Sequence, residues 1–268
     1  MRGVFIGLGL GIFCANFGFL ASYTFLPLYA LKIGATMSEV GFLLATNAVV
    51  STIMVMALGR LSDVGGMRRF LIVLGFAGSA VMYWLLGTSN IYFQLLLLWG
   101  ILGITDSAYR PTAVAVIAEI TPQPRVGRSI GVFNAFMAAG MASGCLVGGK
   151  IADLFGLQAV FITASMMLVL GTASSLVALK FKGSRISVAT PTGEAGERPG
   201  LGMSRLQFLV TSGLLLLCLD VFLRNSGFRG VTTFLPVYLS GLGAENTLTG
   251  TIIAVSYTHL RAHETVLD

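Results

Sequence analysis

A chain of 268 residues that is 55% hydrophobic and 10% charged, with a mean hydropathy of +0.87, is too apolar for one water-soluble core and holds several runs long enough to span a bilayer. The formal net charge of +6 would suit nucleic acid if it were gathered on one face or tail, but the basic residues are spread among short loops, so membrane topology explains them and no nucleic-acid partner is expected. Cys14, Cys145 and Cys218 lie in apolar runs with no pairing pattern, which gives neither a disulfide framework nor a thiolate metal site.

The first predicted helix covers residues 4–30, too long for the apolar region of a signal peptide and followed at once by another span. At ~1.5 Å per residue it exceeds the ~30 Å hydrocarbon core, so it must tilt, bend or protrude, with Gly18 and Pro27 as the places to bend. Gly7, Gly9 and Gly11 do not form GxGxxG and follow no strand. Gly7 and Gly11 are read instead as positions of close helix packing.

A second helix is expected at 40–58 and a third at 70–87, joined by a short polar loop. Its glycines allow a tight reversal, Asp63 can accept from backbone donors at the start of the next helix, and Arg68 and Arg69 can bind carboxylates or lipid phosphates. Gly59, Leu61, Asp63, Gly66, Arg68 and Leu71 match the pattern GxLaDrxGrkxxL, while Val64 and Met67 stand where that pattern has basic residues. The loop therefore resembles the signature between the second and third helices of the major facilitator superfamily.

The uncharged turn Thr88-Ser89-Asn90 makes a tight hairpin into a fourth helix at 91–117. Asp106 and Arg110 lie four apart, hence on one helical face. An ionised group near the bilayer centre costs roughly 2.5 to 3.5 kcal/mol on insertion scales, so the pair should face the bundle interior or a cavity. It is either a neutralised structural pair or a site of substrate or proton handling. Tyr109 flanks it, and Pro111 frees a backbone carbonyl that can receive the arginine.

Beyond a Pro-punctuated basic loop, a fifth helix from Ser129 carries Gly140, Gly144, Gly148 and Gly149, followed by Asp153 and Gly156. Glycines four apart make a flat groove into which a neighbouring helix can sink. The run resembles the fifth-helix signature GxxxGPxxGG of superfamily antiporters, with Cys145 in place of the proline. A sixth, uncharged helix covers 157–179, and the Gly-, Ser- and Pro-rich residues 181–205 read as a cytoplasmic linker.

After the linker the sequence repeats itself. Adding 209 to the position number aligns Asn16, Gly18, Phe19, Thr24, Phe25, Leu26, Pro27, Tyr29, Gly34, Ala35 and Gly41 with identical residues from Asn225 to Gly250, eleven identities in 26 positions without a gap. Such a parallel repeat points to two related bundles. The seventh helix, 206–239, carries Asp220, Arg224 and Arg229, and the offset sets Arg224 near mid-membrane; Asp220 with Arg224 is either a structural ion pair or a functional one. An eighth begins near Leu248. Residues 256–268 resemble a translated sequencing-adapter tail, so a non-native tail on a C-terminally truncated chain is expected. His259 and His263 lack a third ligand or an HExxH frame, and no metal site is assigned.

The fold class expected is an all-α polytopic membrane protein with the major facilitator fold: a complete N-terminal six-helix bundle over 1–180, the linker 181–205, and the start of a second bundle over 206–255. An N-terminus on the cytoplasmic side puts eleven of seventeen Lys and Arg residues inside against two outside, as the positive-inside rule asks of an inner membrane protein. The resemblance implies alternating access around a central cavity. The function expected is export of a small molecule in exchange for protons, with no organic cofactor, by a protein monomeric at full length. Asp106 and Asp220 are the candidate proton carriers, Arg110, Arg224 and Arg229 tune them or bind an anion, and Asn16, Tyr109, Asn134 and Asn225 are polar groups for cavity or packing. Trp99 stands where many proton-coupled members carry an arginine. Import or uniport of an organic anion or sugar is the other transport reading, and a non-transporting sensor or scaffold the other class. No constellation for an enzyme is present.

Overall fold

The computed structural model describes residues 2–62, 67–180 and 214–266. Asp63 and Gly66 of the signature loop and the linker 181–205 lie outside the described residues, as do the side chains of Arg224, Asn225, His259 and His263.

Eight α-helices run through the described residues: α1 (Arg2–Lys32), α2 (Met37–Ser62), α3 (Arg68–Gly87), α4 (Tyr92–Ile120), α5 (Val126–Phe155), α6 (Leu157–Lys180), α7 (Leu214–Gly241) and α8 (Asn246–Val266). Five of them, α1, α2, α3, α5 and α6, are long and apolar enough to cross a membrane. Helix α1 stays one continuous element across Pro27, and α4 across Pro111. Helix α8 runs on without a break from Asn246 to Val266.

Helix α1 sits at the centre of the first six, between α5 and α6, while α3 packs on α4 and α6, and α2 on α4. Glycines set these approaches. A Cβ at Gly7 would meet Ser174 O at 2.9 Å, one at Gly11 would meet Gly171 O at 3.3 Å, and one at Gly18 would meet Ala164 at 3.1 Å, so α1 and α6 run antiparallel in near backbone contact. On the other flank, positions Gly140, Gly144 and Gly148 of α5 face Phe13, Phe17 and Ala21 of α1 at a constant offset of 127, the register of parallel helices. The fifth-helix glycines thus form the groove read from the sequence, with α1 lying in it.

Large side chains fill the interior around these contacts. Tyr29, Phe76, Tyr83, Trp99, Tyr109 and Phe161 are each 1% exposed or less, and the Tyr29 hydroxyl donates to the Ser89 carbonyl, tying the end of α1 to the α3–α4 turn. Outward-facing Phe42, Val49, Ile53, Phe93, Phe155 and Leu170 are all more than half exposed, as apolar residues facing lipid chains should be.

The repeat is visible in the backbone. Helix α1 ends with Gly34 N–H bonded to Leu31 O, Ala35 N–H to Ala30 O, and Gly34 at φ +93°; α7 ends with Gly243 N–H on Ser240 O, Ala244 N–H on Leu239 O, and Gly243 at φ +79°. Both are Schellman caps, in which glycine takes the left-handed conformation that a side chain disfavours.

Candidate functional site

Asp106 lies midway along α4, 6% exposed, with its carboxylate turned into the first bundle. Ser79 of α3 donates to Oδ1 at 3.1 Å, and the Tyr109 hydroxyl donates to the same oxygen at 3.1 Å. Ser79 reaches Asp106 because Gly75, one turn before it, and Gly78, immediately before it, let α3 close on Thr105 and Tyr109 of α4. Tyr109 is held in turn by stacking on Phe76, centroids 4.3 Å apart. Two neutral donors on one carboxylate oxygen lower the cost of burying it.

The other oxygen faces Arg110. Nη2 stands 3.7 Å from Oδ2, an ion pair too long to be a hydrogen bond. The guanidinium lies 4.4 Å over the ring of Phe19 on α1, and its buried Nε and Nη2 have no hydrogen-bond partner. The carbonyl freed by Pro111 is not its acceptor; the cation rests on an aromatic face instead. Arg110 thus keeps unspent donors beside a half-neutralised carboxylate.

Phe19 connects this pair to a cavity. It stacks on Tyr23 at 5.7 Å, and both rings line a space of about 630 Å³ between α1, α2 and α7, with Asn47, Ser51, Arg229 and Thr233. Arg229 lies 5.4 Å over the Tyr23 ring, and the Tyr23 hydroxyl is 3.1 Å from Thr233 Oγ1. Arg229 also borders a second hollow between α2 and α7, with Ala48, Thr52 and Cys218. The cavity is therefore apolar-walled with scattered hydroxyls, an amide and one cation, the character of a small-molecule site.

The sequence-derived candidates distribute unevenly over this geometry. Asp106, Tyr109 and Arg110 form one cluster, and Arg229 faces the cavity next to it. Tyr109 is a buried donor to Asp106 rather than a cavity wall, and Asn16 is fully buried, its amide donating to Ile12 O at 2.8 Å. Asn134 is exposed on α5 and Asp220 is exposed on α7, both away from the cluster. Of the loop signature, Arg68 is described as pairing with Glu119 at 2.8 Å, while Gly59 and Leu61 close α2. Ser79, Phe19, Tyr23 and Thr233 are the additions that sequence reading passed over; small polar residues at glycine-lined crossings and aromatic residues on repeat-matched helices were the available signals.

One further contact joins the repeats. Asp153, near the end of α5, accepts at Oδ1 from Asn246 N at 3.0 Å and Asn246 Nδ2 at 2.8 Å, and at Oδ2 from Thr247 N at 2.7 Å and Thr247 Oγ1 at 2.5 Å. It is a helix cap supplied from another helix. In the first half α2 caps itself, with Thr36 N donating to Glu39 Oε2 at 2.7 Å and Glu39 N donating to Thr36 Oγ1 at 3.3 Å, a capping box. The 209-residue offset puts Glu245 and Leu248 at those positions, so α8 has lost the box and borrows Asp153. Beside it, Gly149 faces Asn246 and Thr247, and Gly250 faces the Cys145 carbonyl, so α5 and α8 touch backbone to backbone.

Comparisons with known proteins agree with this architecture. An uncharacterised MFS-type transporter of Methanocaldococcus jannaschii is 30% identical over 166 residues, 61% of this chain and 42% of its own length. Multidrug resistance protein MdtG of Proteus mirabilis is 32% identical over 165 residues, covering 59% of this chain and 40% of that protein. Its counterpart in Citrobacter koseri is 32% identical over 166 residues, 60% of this chain and 40% of that protein. The matches span about two fifths of these relatives' length. A crystal structure of an auto-inhibited POT family peptide transporter superposes with a TM-score of 0.61 at 14% identity, covering 99% of this chain and 54% of that one, a likeness of fold. Residues 8–258 match the family model of the Major Facilitator Superfamily, and the chain, a multi-pass membrane protein, belongs to that family.

Proposed function

We propose that these residues form the first bundle and the opening helices of the second in a secondary transporter that exports a small organic molecule from the cytoplasm in exchange for protons. The observation that carries the reading is Asp106: a mid-helix carboxylate with two neutral donors and a loosely held arginine, one aromatic layer from a cavity. A carboxylate in that setting can take up a proton if Arg110 is drawn away toward a ligand, and release it when the arginine returns. Phe19 and Tyr23 are the surface through which a ligand in the cavity displaces Arg110. The MdtG relatives are named for multidrug resistance, which supports export of organic compounds.

The α5–α8 contact supports alternating access. It joins the two repeats at the end of the bundle opposite the N-terminus of α1, so its closure seals that end while the α2–α7 hollow lies open. With the N-terminus in the cytoplasm of a cell with an inner membrane, the contact is the outer gate.

The test is proton-coupled flux by the complete protein in proteoliposomes with an imposed pH gradient. Asp106→Asn should abolish gradient-driven accumulation while leaving downhill exchange. Retained coupling in that variant would remove Asp106 as carrier. A second reading, uptake or uniport of an organic anion, draws on Arg229 as the cation among the described residues of the cavity wall. It expects flux without proton movement and its loss in Arg229→Gln. A protein with no flux of any substrate class would instead be a sensor or scaffold.

A further inference from the structure

At the end of the first bundle that carries the N-terminus of α1, a crevice of about 400 Å³ opens between the beginnings of α1 and α5 and the end of α4. Its walls are of two kinds. Phe5 and Ile6 of α1 and Ile120 of α4 are apolar, and Ile6 is 52% exposed. Arg125 and Ser129 bring a guanidinium and a hydroxyl to the same crevice.

We infer that this crevice binds an anionic phospholipid, one acyl chain against Phe5, Ile6 and Ile120 and the phosphate on Arg125 and Ser129. The charge is the first reason. Arg125 stands on the short 3-10 turn Gln123–Arg125 and makes no ion pair among the described residues. Glu119, the carboxylate nearest in sequence, pairs with Arg68 at 2.8 Å. The guanidinium therefore has its planar donor fork available, and that fork matches phosphate oxygens. The second reason is the start of α5 at Val126, where the positive end of the helix dipole adds to the charge of Arg125, although the Val126 amide itself is taken by Gln123 O.

The apolar wall decides which phosphate. A free anion would gain nothing from Phe5, Ile6 and Ile120, whereas an acyl chain covers them as the headgroup reaches Arg125. The crevice lies where helices meet a polar turn, which is the depth at which headgroups join chains. A basic residue there attracts anionic lipid by about fivefold in affinity.

The inference is independent of the transport reading, since every residue it uses belongs to the first bundle and none of them to the Asp106 cluster. Its test is equilibrium binding of dioleoylphosphatidylglycerol to the purified chain in detergent, followed by native mass spectrometry. Dioleoylphosphatidylcholine and inorganic phosphate serve as the other probes. The expected result is retained phosphatidylglycerol, weaker phosphatidylcholine with the same chains, and no retained phosphate. Arg125→Gln should weaken phosphatidylglycerol by about fivefold. Phe5→Ala should weaken both lipids alike, and Lys32→Gln, which removes the same charge at the other end of α1, should weaken neither. Equal binding of the two lipids, equal binding by wild type and Arg125→Gln, or competition by inorganic phosphate alone would each overturn the assignment.

Discussion

Gly144 shows how a single missing side chain determines a helix crossing. A Cβ there would fall inside contact distance of the Phe17 carbonyl oxygen, and no rotamer can move a backbone atom aside. Gly144→Ala should therefore force α5 and α1 apart and lower the stability of the bundle by about 1–3 kcal/mol, the usual range for overpacking. Gly131, on the same helix, has nothing within 4 Å of its Cβ position, so Gly131→Ala should leave the melting temperature unchanged or raise it. Melting of the two variants in one detergent checks the pair. If both melt alike, backbone proximity is not what the glycine provides. Spacing alone makes Gly140, Gly144 and Gly148 legible as a groove in the sequence. The Asp106 cluster is half legible: Arg110 is visible at four-residue spacing, but Ser79 lies 27 positions away and becomes a donor only because the glycines before it bring α3 onto α4.

At the scale of the element, the two halves solve one problem in different ways. The free amides at the start of α2 are satisfied by its own capping box, and those of α8 by a carboxylate from α5. The second arrangement makes order at the start of α8 depend on α5 staying close, which suits the gating proposed for this contact. Asp153→Ala should cost α8 about 0.5–2 kcal/mol of end stability, as loss of a cap does, speeding amide exchange at Asn246 and Thr247 by roughly 2- to 30-fold. Exchange at Val40, whose amide bonds to Thr36 O within the self-capped turn, should not change. Faster exchange at both helix starts would mean general loosening instead of a lost cap. The sequence reveals half of this: the 209-residue offset shows that α8 lacks the Thr36 and Glu39 pair. That Asp153 replaces it depends on α5 and α8 lying side by side, a long-range pairing no local pattern encodes.

For the whole molecule, alternation of apolar runs and short loops makes the helices readable before any packing is known, and the glycine caps at Gly34 and Gly243 return the repeat as matching backbone geometry. Cavity walls are less readable, because Tyr23 and Arg229 come from different halves and meet only through the packing of α1 against α7. The alternation also leads to an expected orientation that can be measured. With α4 crossing the bilayer between α3 and α5, as the family fold implies, the α3–α4 turn is expected at one face and the α4–α5 turn at the other, with basic residues gathered at the latter. In the orientation proposed from the positive-inside rule, Thr88 lies outside and Arg128 in the cytoplasm. In a background with Cys218, the exposed native thiol, replaced by serine, Thr88→Cys should react with a membrane-impermeant maleimide on intact cells. Arg128→Cys, exposed at the start of α5, should react only after permeabilisation. The reverse pattern would invert the chain in the membrane and turn the Asp153 contact from the proposed outer gate into an inner one; labelling of both sites on intact cells would deny that α4 crosses the bilayer.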